Sequence, residues 1–195
     1  MKSIEKGIRS YITEERFSHS QGVRDTAVSL AIRYQCDEEK ASIAALLHDV
    51  ARDLSLERMQ RIVKSNCGAI YASDIVFNNP GLLHARAGRI IAQEEFDVQD
   101  EDILQSIELH TTGGEGMSLL NKVVFIADYT EPGRKFRGVG EARKLARRSI
   151  DETVLYIFKS MISKLIQKGV YICKETLLGY NEHVLDFKGD AIGRW

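Results

Sequence analysis

The sequence predicts an all-α protein, and three observations support that class. Apolar residues recur every three to four positions along most of the chain, which is the period of an amphipathic helix. The alternation of apolar and polar residues that is typical of strands is nearly absent. Only 2 prolines occur in 195 residues. This length favours one domain, residues 1–195, with a sizeable core over about residues 5–170 and a short C-terminal tail packed on it.

The first three predicted helices carry the first histidines. Helix one is expected over about residues 3–13, and helix two over about 18–35, with His19 on its apolar stripe. Asp37 is a suitable N-cap for the third helix. The apolar positions of that third helix lead directly to His48, which is expected on its buried side.

The middle of the chain predicts three further helices. Ser55 is the expected cap of a short fourth helix, and Pro80 begins a fifth that carries His84 on its apolar face. Asp100 or its neighbour opens the sixth, in which His110 follows the apolar period. Each of these helices therefore presents at most one histidine toward the core.

The last third of the chain predicts two helices and a tail. Asp128 lies on the apolar stripe of a helix that ends at Glu131-Pro132-Gly133. A long helix is expected over about residues 149–168, stopped by Gly169. The tail after Cys173 shows no clear period and is expected to dock as a short extended piece.

Six polar side chains on the predicted apolar faces indicate a metal site: His19, His48, Asp49, His84, His110 and Asp128. Any one of them is more often a packed, hydrogen-bonded core residue, and one His-Asp pair is expected about 0.3 times by chance. Buried imidazoles and carboxylates are costly unless they are paired or bind a metal, so the set as a whole favours one metal site. Nitrogen and oxygen donors suit iron, manganese or zinc.

The composition excludes several other classes of protein. The chain has 27 Lys and Arg against 28 Asp and Glu, so no nucleic-acid partner is expected. No apolar run approaches the roughly 18 residues of a membrane span, so no membrane partner is expected either. The 3 cysteines form no CxxC pair, which argues against a disulfide framework or a zinc ribbon and favours a reducing, cytoplasmic location.

Four short sequence motifs surround the candidate ligands: Arg16-Phe17-Ser18-His19-Ser20, Leu47-His48-Asp49-Val50-Ala51-Arg52, His110-Thr111-Thr112-Gly113 and Ile126-Ala127-Asp128-Tyr129-Thr130-Glu131-Pro132-Gly133-Arg134. At these residues the chain resembles the HD superfamily of metal-dependent phosphohydrolases, whose H…HD…D pattern maps to His19, His48-Asp49 and Asp128. The motifs as a whole are similar to its YqeK family of symmetrical bis(5'-nucleosyl)-tetraphosphatases. The similarity covers roughly residues 5–185 and implies an HD-domain helical bundle with a metal site at its centre.

The resemblance implies a two-metal hydrolase. Two divalent ions, with iron suggested by the family, would be held by His19, His48 and Asp128 on one side and by His84 and His110 on the other. Asp49 would bridge the ions. His48 and Asp49 are neighbours that point about 100° apart around a helix, so both can reach one site only if it extends in more than one direction, as a two-metal site does. A metal-bridging hydroxide would then cleave diadenosine tetraphosphate symmetrically into two ADP. Dinucleoside polyphosphates are the implied substrates, and ADP or GDP the implied products.

Substrate contacts are expected mainly from arginines near the ligands and from the loop after His110. Arg52 follows the His-Asp pair and is expected to act in catalysis as well as binding, and Arg is suited to bidentate phosphate contacts. The full set of predicted substrate-binding residues is Arg16, Arg52, His84, Thr111, Thr112, Gly113, Arg134, Arg137, Tyr180 and Asn181. The cations Arg143 to Arg148 are expected to form a solvated helix face.

Two departures from the family motifs and several alternatives stay open. Arg52 stands where the family frequently has Lys, and Gly114-Glu115 replaces a basic residue followed by Pro. Another HD phosphohydrolase, acting on nucleoside triphosphates, alarmones or cyclic nucleotides, is one alternative function. A regulatory module that binds nucleotides without turnover is another. The sequence leaves the native metal and the base preference open, and it leaves open whether the protein is a homodimer.

Overall fold

The computed structural model describes residues 2–67 and 75–188, and these residues form ten α-helices and no strand, which confirms the all-α class. None of the described helices is both long enough and apolar enough to cross a membrane. A short 3₁₀ turn covers Val76–Asn78. The α-helices are α1 (Lys2–Ile8), α2 (Glu14–Tyr34), α3 (Glu38–Leu47), α4 (Leu56–Cys67), α5 (Pro80–Glu95), α6 (Glu101–Leu109), α7 (Leu119–Thr130), α8 (Val139–Leu145), α9 (Ile150–Lys168) and α10 (Lys174–Lys188).

Helix α7 lies at the centre of the fold. It packs against α2, α3, α6, α8 and α9, and its residues Val123, Val124, Ile126 and Ala127 are fully buried. A helix that is apolar on nearly all sides is stable only when neighbours surround it. The helix ends at Thr130, as the Glu131-Pro132 pair predicts, because proline cannot continue the backbone hydrogen bonds. Asp128 therefore sits near the end of the central helix.

Alanines bring α2 and α3 close together. Ala27 and Ala31 on α2 and Ala41, Ala44 and Ala45 on α3 all have 0% of their surface exposed. Small side chains at a helix interface shorten the distance between the two axes. This close packing positions the start of α2, with His19, beside the turn that follows α3.

The predicted boundary between the first two helices is wrong. Helix α1 ends at Ile8 rather than at residue 13, and α2 begins at Glu14 rather than at residue 18. The Thr13 backbone N–H and its hydroxyl both donate to an Asp53 carboxylate oxygen at 2.9 Å, and the hydroxyl accepts from the Arg16 N–H. Thr13 is therefore an extended N-cap residue, and a contact 40 residues away decides where α2 starts.

The predicted starts of three helices are confirmed by their caps. Asp37 accepts a hydrogen bond from Lys40 N–H at 2.9 Å, Ser55 from Arg58 N–H at 3.3 Å, and Asp100 from Ile103 N–H at 3.2 Å. The ends of α3 and α6 differ from the expectation, because the helices stop one residue before His48 and His110 respectively. Both histidines retain right-handed helical dihedral angles, so the helical period still predicts the direction of their side chains.

The C-terminal segment forms helix α10 instead of the expected extended piece. Its buried positions are Thr176, Gly179 and His183, preceded by Cys173, whereas Leu177 and Leu185 are 41% and 51% exposed. The buried face is small or polar, so apolar periodicity gives no sign of it. Gly179 allows a close approach, since a Cβ atom there would lie 2.5 Å from the Gly114 carbonyl oxygen. Residues 189–195 of the predicted tail lie outside the described residues.

Candidate metal centre

Five separate elements bring the six predicted ligands to one place. His19 comes from α2, His48 and Asp49 from the turn after α3, His84 from α5, His110 from the end of α6 and Asp128 from α7. The side chains of His48, His84, His110 and Asp49 are almost completely buried, while those of His19 and Asp128 are 12% and 20% exposed. The centre therefore lies inside the bundle and opens to solvent on the His19 and Asp128 side.

The Asp49 carboxylate stands between two pairs of histidines. Its Oδ2 atom is 3.5 Å from His48 Nε2 and 3.8 Å from His19 Nε2. Its Oδ1 atom is 3.2 Å from His84 Nε2 and 3.5 Å from His110 Nε2. Each oxygen thus lies near a different pair of histidines, an arrangement that suits a carboxylate bridging two metal ions.

Asp128 completes one side of the centre. Its Oδ1 atom lies 3.1 Å from His19 Nε2 and 3.8 Å from His48 Nε2. Among the described residues, two groups have donor atoms that all lie within 4.8 Å of one another: His19, His48 and Asp128, and His48, Asp49 and His110. His48 belongs to both groups, whereas the sequence places it on one side only. His84 adjoins the second group, with its Nε2 atom 3.1 Å from His110 Nε2.

Hydrogen bonds at the far side of three rings leave Nε2 as the donor atom for a metal. The Nδ1–H groups of His48 and His110 donate to the Ala45 and Ile107 carbonyls at 2.6 and 2.7 Å. His19 Nδ1–H donates to Glu131 Oε1 at 3.2 Å. Such outer partners fix the tautomer and orientation of ligating histidines.

Unpartnered nitrogens inside the centre fit a metal ion. The Nε2 atoms of His19 and His48 are buried and have no hydrogen-bond partner. A buried acceptor without a partner is costly unless a ligand completes it. Four imidazoles and two carboxylates form the donor set of a borderline transition metal such as iron, manganese or zinc. The residues therefore fit divalent metal ions.

Burial and mutual contact shift the pKa values of the candidate ligands, and the direction differs from one group to the next. Burial lowers the pKa of His48 to about 4 and also lowers the pKa of His84, so both rings are neutral near pH 7. Burial alone would raise the pKa values of Asp49 and Asp128, but neighbouring histidines hold both well below their usual range. Burial likewise opposes the charged form of His110, but the hydrogen bond and charge of Asp49 outweigh it and raise the His110 pKa.

Three of the predicted arginines line a cavity of about 260 Å³ over the centre, and each is already paired with a ligand residue. Arg16 Nη1 donates to Asp49 Oδ2 at 2.9 Å. Arg52 Nη1 lies 3.0 Å from His84 Nδ1. Arg134 pairs with the Asp128 carboxylate through Nη2 and donates from Nε to the Asp128 carbonyl at 2.9 Å. Positive charge is thus concentrated around the acidic ligands.

Of the three predicted substrate residues in the loop after His110, only Thr111 lines the central cavity. Thr111 lines the cavity, with its hydroxyl 2.9 Å from His110 Nε2 and 3.3 Å from His84 Nε2. The Thr112 hydroxyl donates to the Gly113 carbonyl, and Gly113 has a φ of +61°. A Cβ atom at Gly113 would lie 2.5 Å from the Phe158 ring, so glycine permits both the turn and the packing there.

The remaining predicted substrate residues lie farther from the ligands. Arg137 lines a neighbouring cavity that shares Asp128 and Arg134 with the central one. Tyr180 and Asn181 lie on α10 and do not line the central cavity or the two that adjoin it. Their contact with substrate stays a prediction. His183, on the same helix, is buried and donates from Nδ1 to the Gly179 carbonyl.

Two functional supports were missed from the sequence. Glu131 is only 6% exposed and links His19 to the loop that follows α7. Its Oε1 atom accepts from His19 Nδ1–H, and its Oε2 atom accepts from Gly133 N–H at 2.5 Å. Its position three residues after Asp128 was the available signal.

Arg143 was expected on a solvated face, and that expectation is wrong. It donates to the carbonyls of Thr130, Glu131 and Arg134 at 2.8, 2.7 and 3.0 Å, which satisfies the end of α7.

Comparison with known proteins places this arrangement in a family. Residues 16–133 match the HD domain family model. A symmetrical bis(5'-nucleosyl)-tetraphosphatase of Bacillus subtilis is 40% identical over 89% of this chain and 92% of its own length. One of the same name from Halalkalibacterium halodurans is 37% identical over 93% of this chain and 95% of its own.

A solved structure extends the match to the whole fold. The crystal structure of a protein from Clostridium acetobutylicum, described as a predicted HD superfamily hydrolase involved in NAD metabolism, superposes with a TM-score of 0.90. It is 40% identical, and the match covers 95% of this chain and 97% of that one. The HD motif, the six converging side chains and these relatives agree, and the chain belongs to the HD domain family of hydrolases.

Proposed function

We propose that this protein is a metal-dependent hydrolase that cleaves diadenosine tetraphosphate symmetrically into two ADP. The observation that carries the proposal is the Asp49 carboxylate, whose two oxygens face separate pairs of histidines. The substrate follows from the relatives named symmetrical bis(5'-nucleosyl)-tetraphosphatase, which match along most of the chain. The scattered thiols fit a cytoplasmic enzyme.

Two divalent ions, iron in our proposal, would be held by all six candidate ligands. His19, His48 and Asp128 would hold one, His84 and His110 the other, and Asp49 would touch both. Bound there, the ions would supply Lewis acidity and a coordinated water of lowered pKa. The neutral rings of His48 and His84 keep nitrogen lone pairs available for binding near pH 7.

The arginines around the cavity neutralise the phosphate chain. Arg16 and Arg134 now pair with Asp49 and Asp128, so they lie within reach of any phosphate oxygen that approaches these carboxylates. Arg52 Nη1 lies 3.0 Å from the outer nitrogen of His84 and faces the same cavity, which places its guanidinium within reach of a phosphate bound there. The Thr111 hydroxyl supplies a further hydrogen bond.

The reaction products give the most direct test. Metal-loaded protein is incubated with diadenosine tetraphosphate, and the nucleotides are separated by chromatography. Two ADP per substrate support the proposal, whereas ATP with AMP would show asymmetric cleavage. The same assay with ATP, an alarmone, a cyclic dinucleotide and NAD compares the alternative substrates. Tight nucleotide binding without turnover, with either iron or manganese, would favour a regulatory module.

The Asp49→Ala variant tests the position of the bridge. We expect it to lose bound metal and to lose activity by several orders of magnitude, because both sides of the centre lose an oxygen ligand. Asp25→Ala is the matched control, since that carboxylate is exposed and pairs with the neighbouring Arg24, away from the metal centre. Wild-type metal content and turnover in Asp49→Ala would refute the assignment.

A further inference from the structure

Three cavities in the described part of the chain meet at the metal centre. The first arm is a cavity of about 650 Å³ that shares Asp128 and Arg134 with the central cavity. The second arm, of about 620 Å³, shares Arg52 and Thr111 with it. Each arm falls within the range of about 300–1,000 Å³ that small-molecule sites occupy. The metal centre therefore lies between two spaces of similar size.

The two arms also resemble each other in chemistry. The first arm contains Phe136, which is 37% exposed, and Arg137. The second contains Tyr171, which is 46% exposed, and Lys168. Exposed aromatic rings offer faces on which nucleobases stack, and the cations suit phosphates. Each arm thus provides an exposed aromatic ring and at least one cation that does not line the other arm.

Helix α9 forms a wall that both arms share. Its residues Met161 and Lys164 line the first arm and the second. The structure records no ion pair for Lys164, Arg137 or Lys168 within residues 2–67 and 75–188. The arginines of the central cavity, by contrast, are already paired with ligand residues. The uncommitted positive charge is therefore distributed as one cation in each arm and one common to both.

We propose that each arm is a binding site for one nucleoside diphosphate, so that one chain binds both halves of a dinucleotide at the same time. The bases stack on Phe136 in the first arm and on Tyr171 in the second, and Lys164 contacts phosphates from both. This inference rests on the proposed function and deepens it. Two similar arms on either side of one metal centre suit a substrate with two identical halves that is cut at its midpoint.

The binding of ADP to the metal-loaded protein tests the inference without any turnover. Equilibrium dialysis with labelled ADP should give two ADP per wild-type chain. Phe136→Ala and Tyr171→Ala should each weaken one site at least tenfold, leaving one ADP per chain, and the double variant should lose both. Lys164→Ala should weaken both sites. Ile166→Ala is the control, because that α9 residue is 63% exposed and lines neither arm, and it should still bind two.

The outcomes separate this inference from the proposed function. One ADP per wild-type chain overturns the inference, as does a double variant that binds like either single variant. If a chain with one ADP site cleaves diadenosine tetraphosphate, the inference of two binding sites is refuted and the proposed function is not. Two ADP sites on a chain that does not cleave it would refute the proposed function only. Phe136→Tyr and Tyr171→Phe should restore two sites, which distinguishes lost stacking from a folding defect.

Discussion

Glu131 is expected to control how strongly His19 binds a metal ion, although it contacts the ring only from behind. Its carboxylate accepts on both oxygens, from His19 Nδ1–H at 3.2 Å and from Gly133 N–H at 2.5 Å. Glu131→Gln keeps the shape of the side chain but leaves one acceptor, because the amide nitrogen is a donor. One of the two N–H groups then faces an N–H of the amide.

The expected magnitude follows from the burial of this contact. Glu131 is 6% exposed, so water has little access to replace the lost acceptor. Loss of an outer partner of a ligating histidine typically costs about 10–100-fold in metal affinity or activity. That range corresponds to about 1.4–2.7 kcal/mol of binding free energy. We expect Glu131→Gln to fall within it.

The assay is a competition titration of Mn²⁺ or Zn²⁺ between the protein and a fluorescent chelator. Circular dichroism on the same samples establishes that each variant is folded. Glu141→Gln is the matched control, because Glu141 is exposed on α8 and pairs with the exposed Lys144 at 3.6 Å. A folded Glu131→Gln protein with wild-type affinity would refute the role given to this carboxylate.

Three further predictions concern stability. Chelation of the metal should lower the melting temperature, since ligand at 100 times its Kd stabilises by about 2.7 kcal/mol, and an unchanged calorimetric midpoint would contradict this. Arg143→Ala should cost about 1–3 kcal/mol in urea unfolding, because three carbonyls each lose one hydrogen bond, whereas the exposed Lys144→Ala should cost little. Gly179→Ala should lower the free energy of unfolding by about 1–3 kcal/mol, because the new Cβ atom overpacks against Gly114. Gly140→Ala is the control, because a Cβ atom there meets nothing within 4 Å, and it should cost little.

Local patterns in the sequence were sufficient for most of the helices. The caps Asp37, Ser55 and Asp100 lie next to the helices that they begin, so their signals are local. The helical period also placed His48 and His110 toward the core, even though each follows the last residue of its helix. Helix α10 was not predicted, because its buried face consists of Thr176, Gly179 and His183, which form no apolar pattern.

The sequence by itself determined the all-α class, most of the helix starts and the family, because periodicity, caps and motifs are local properties of the chain. Only the tertiary structure decided which atoms meet. The contact of His19 with Asp49, the Glu131 contact behind His19 and the pairing of Arg16 with Asp49 join residues between 30 and 112 positions apart. The physical reason is that these distances are set by how α2, α3 and α7 pack, and no local pattern records that packing.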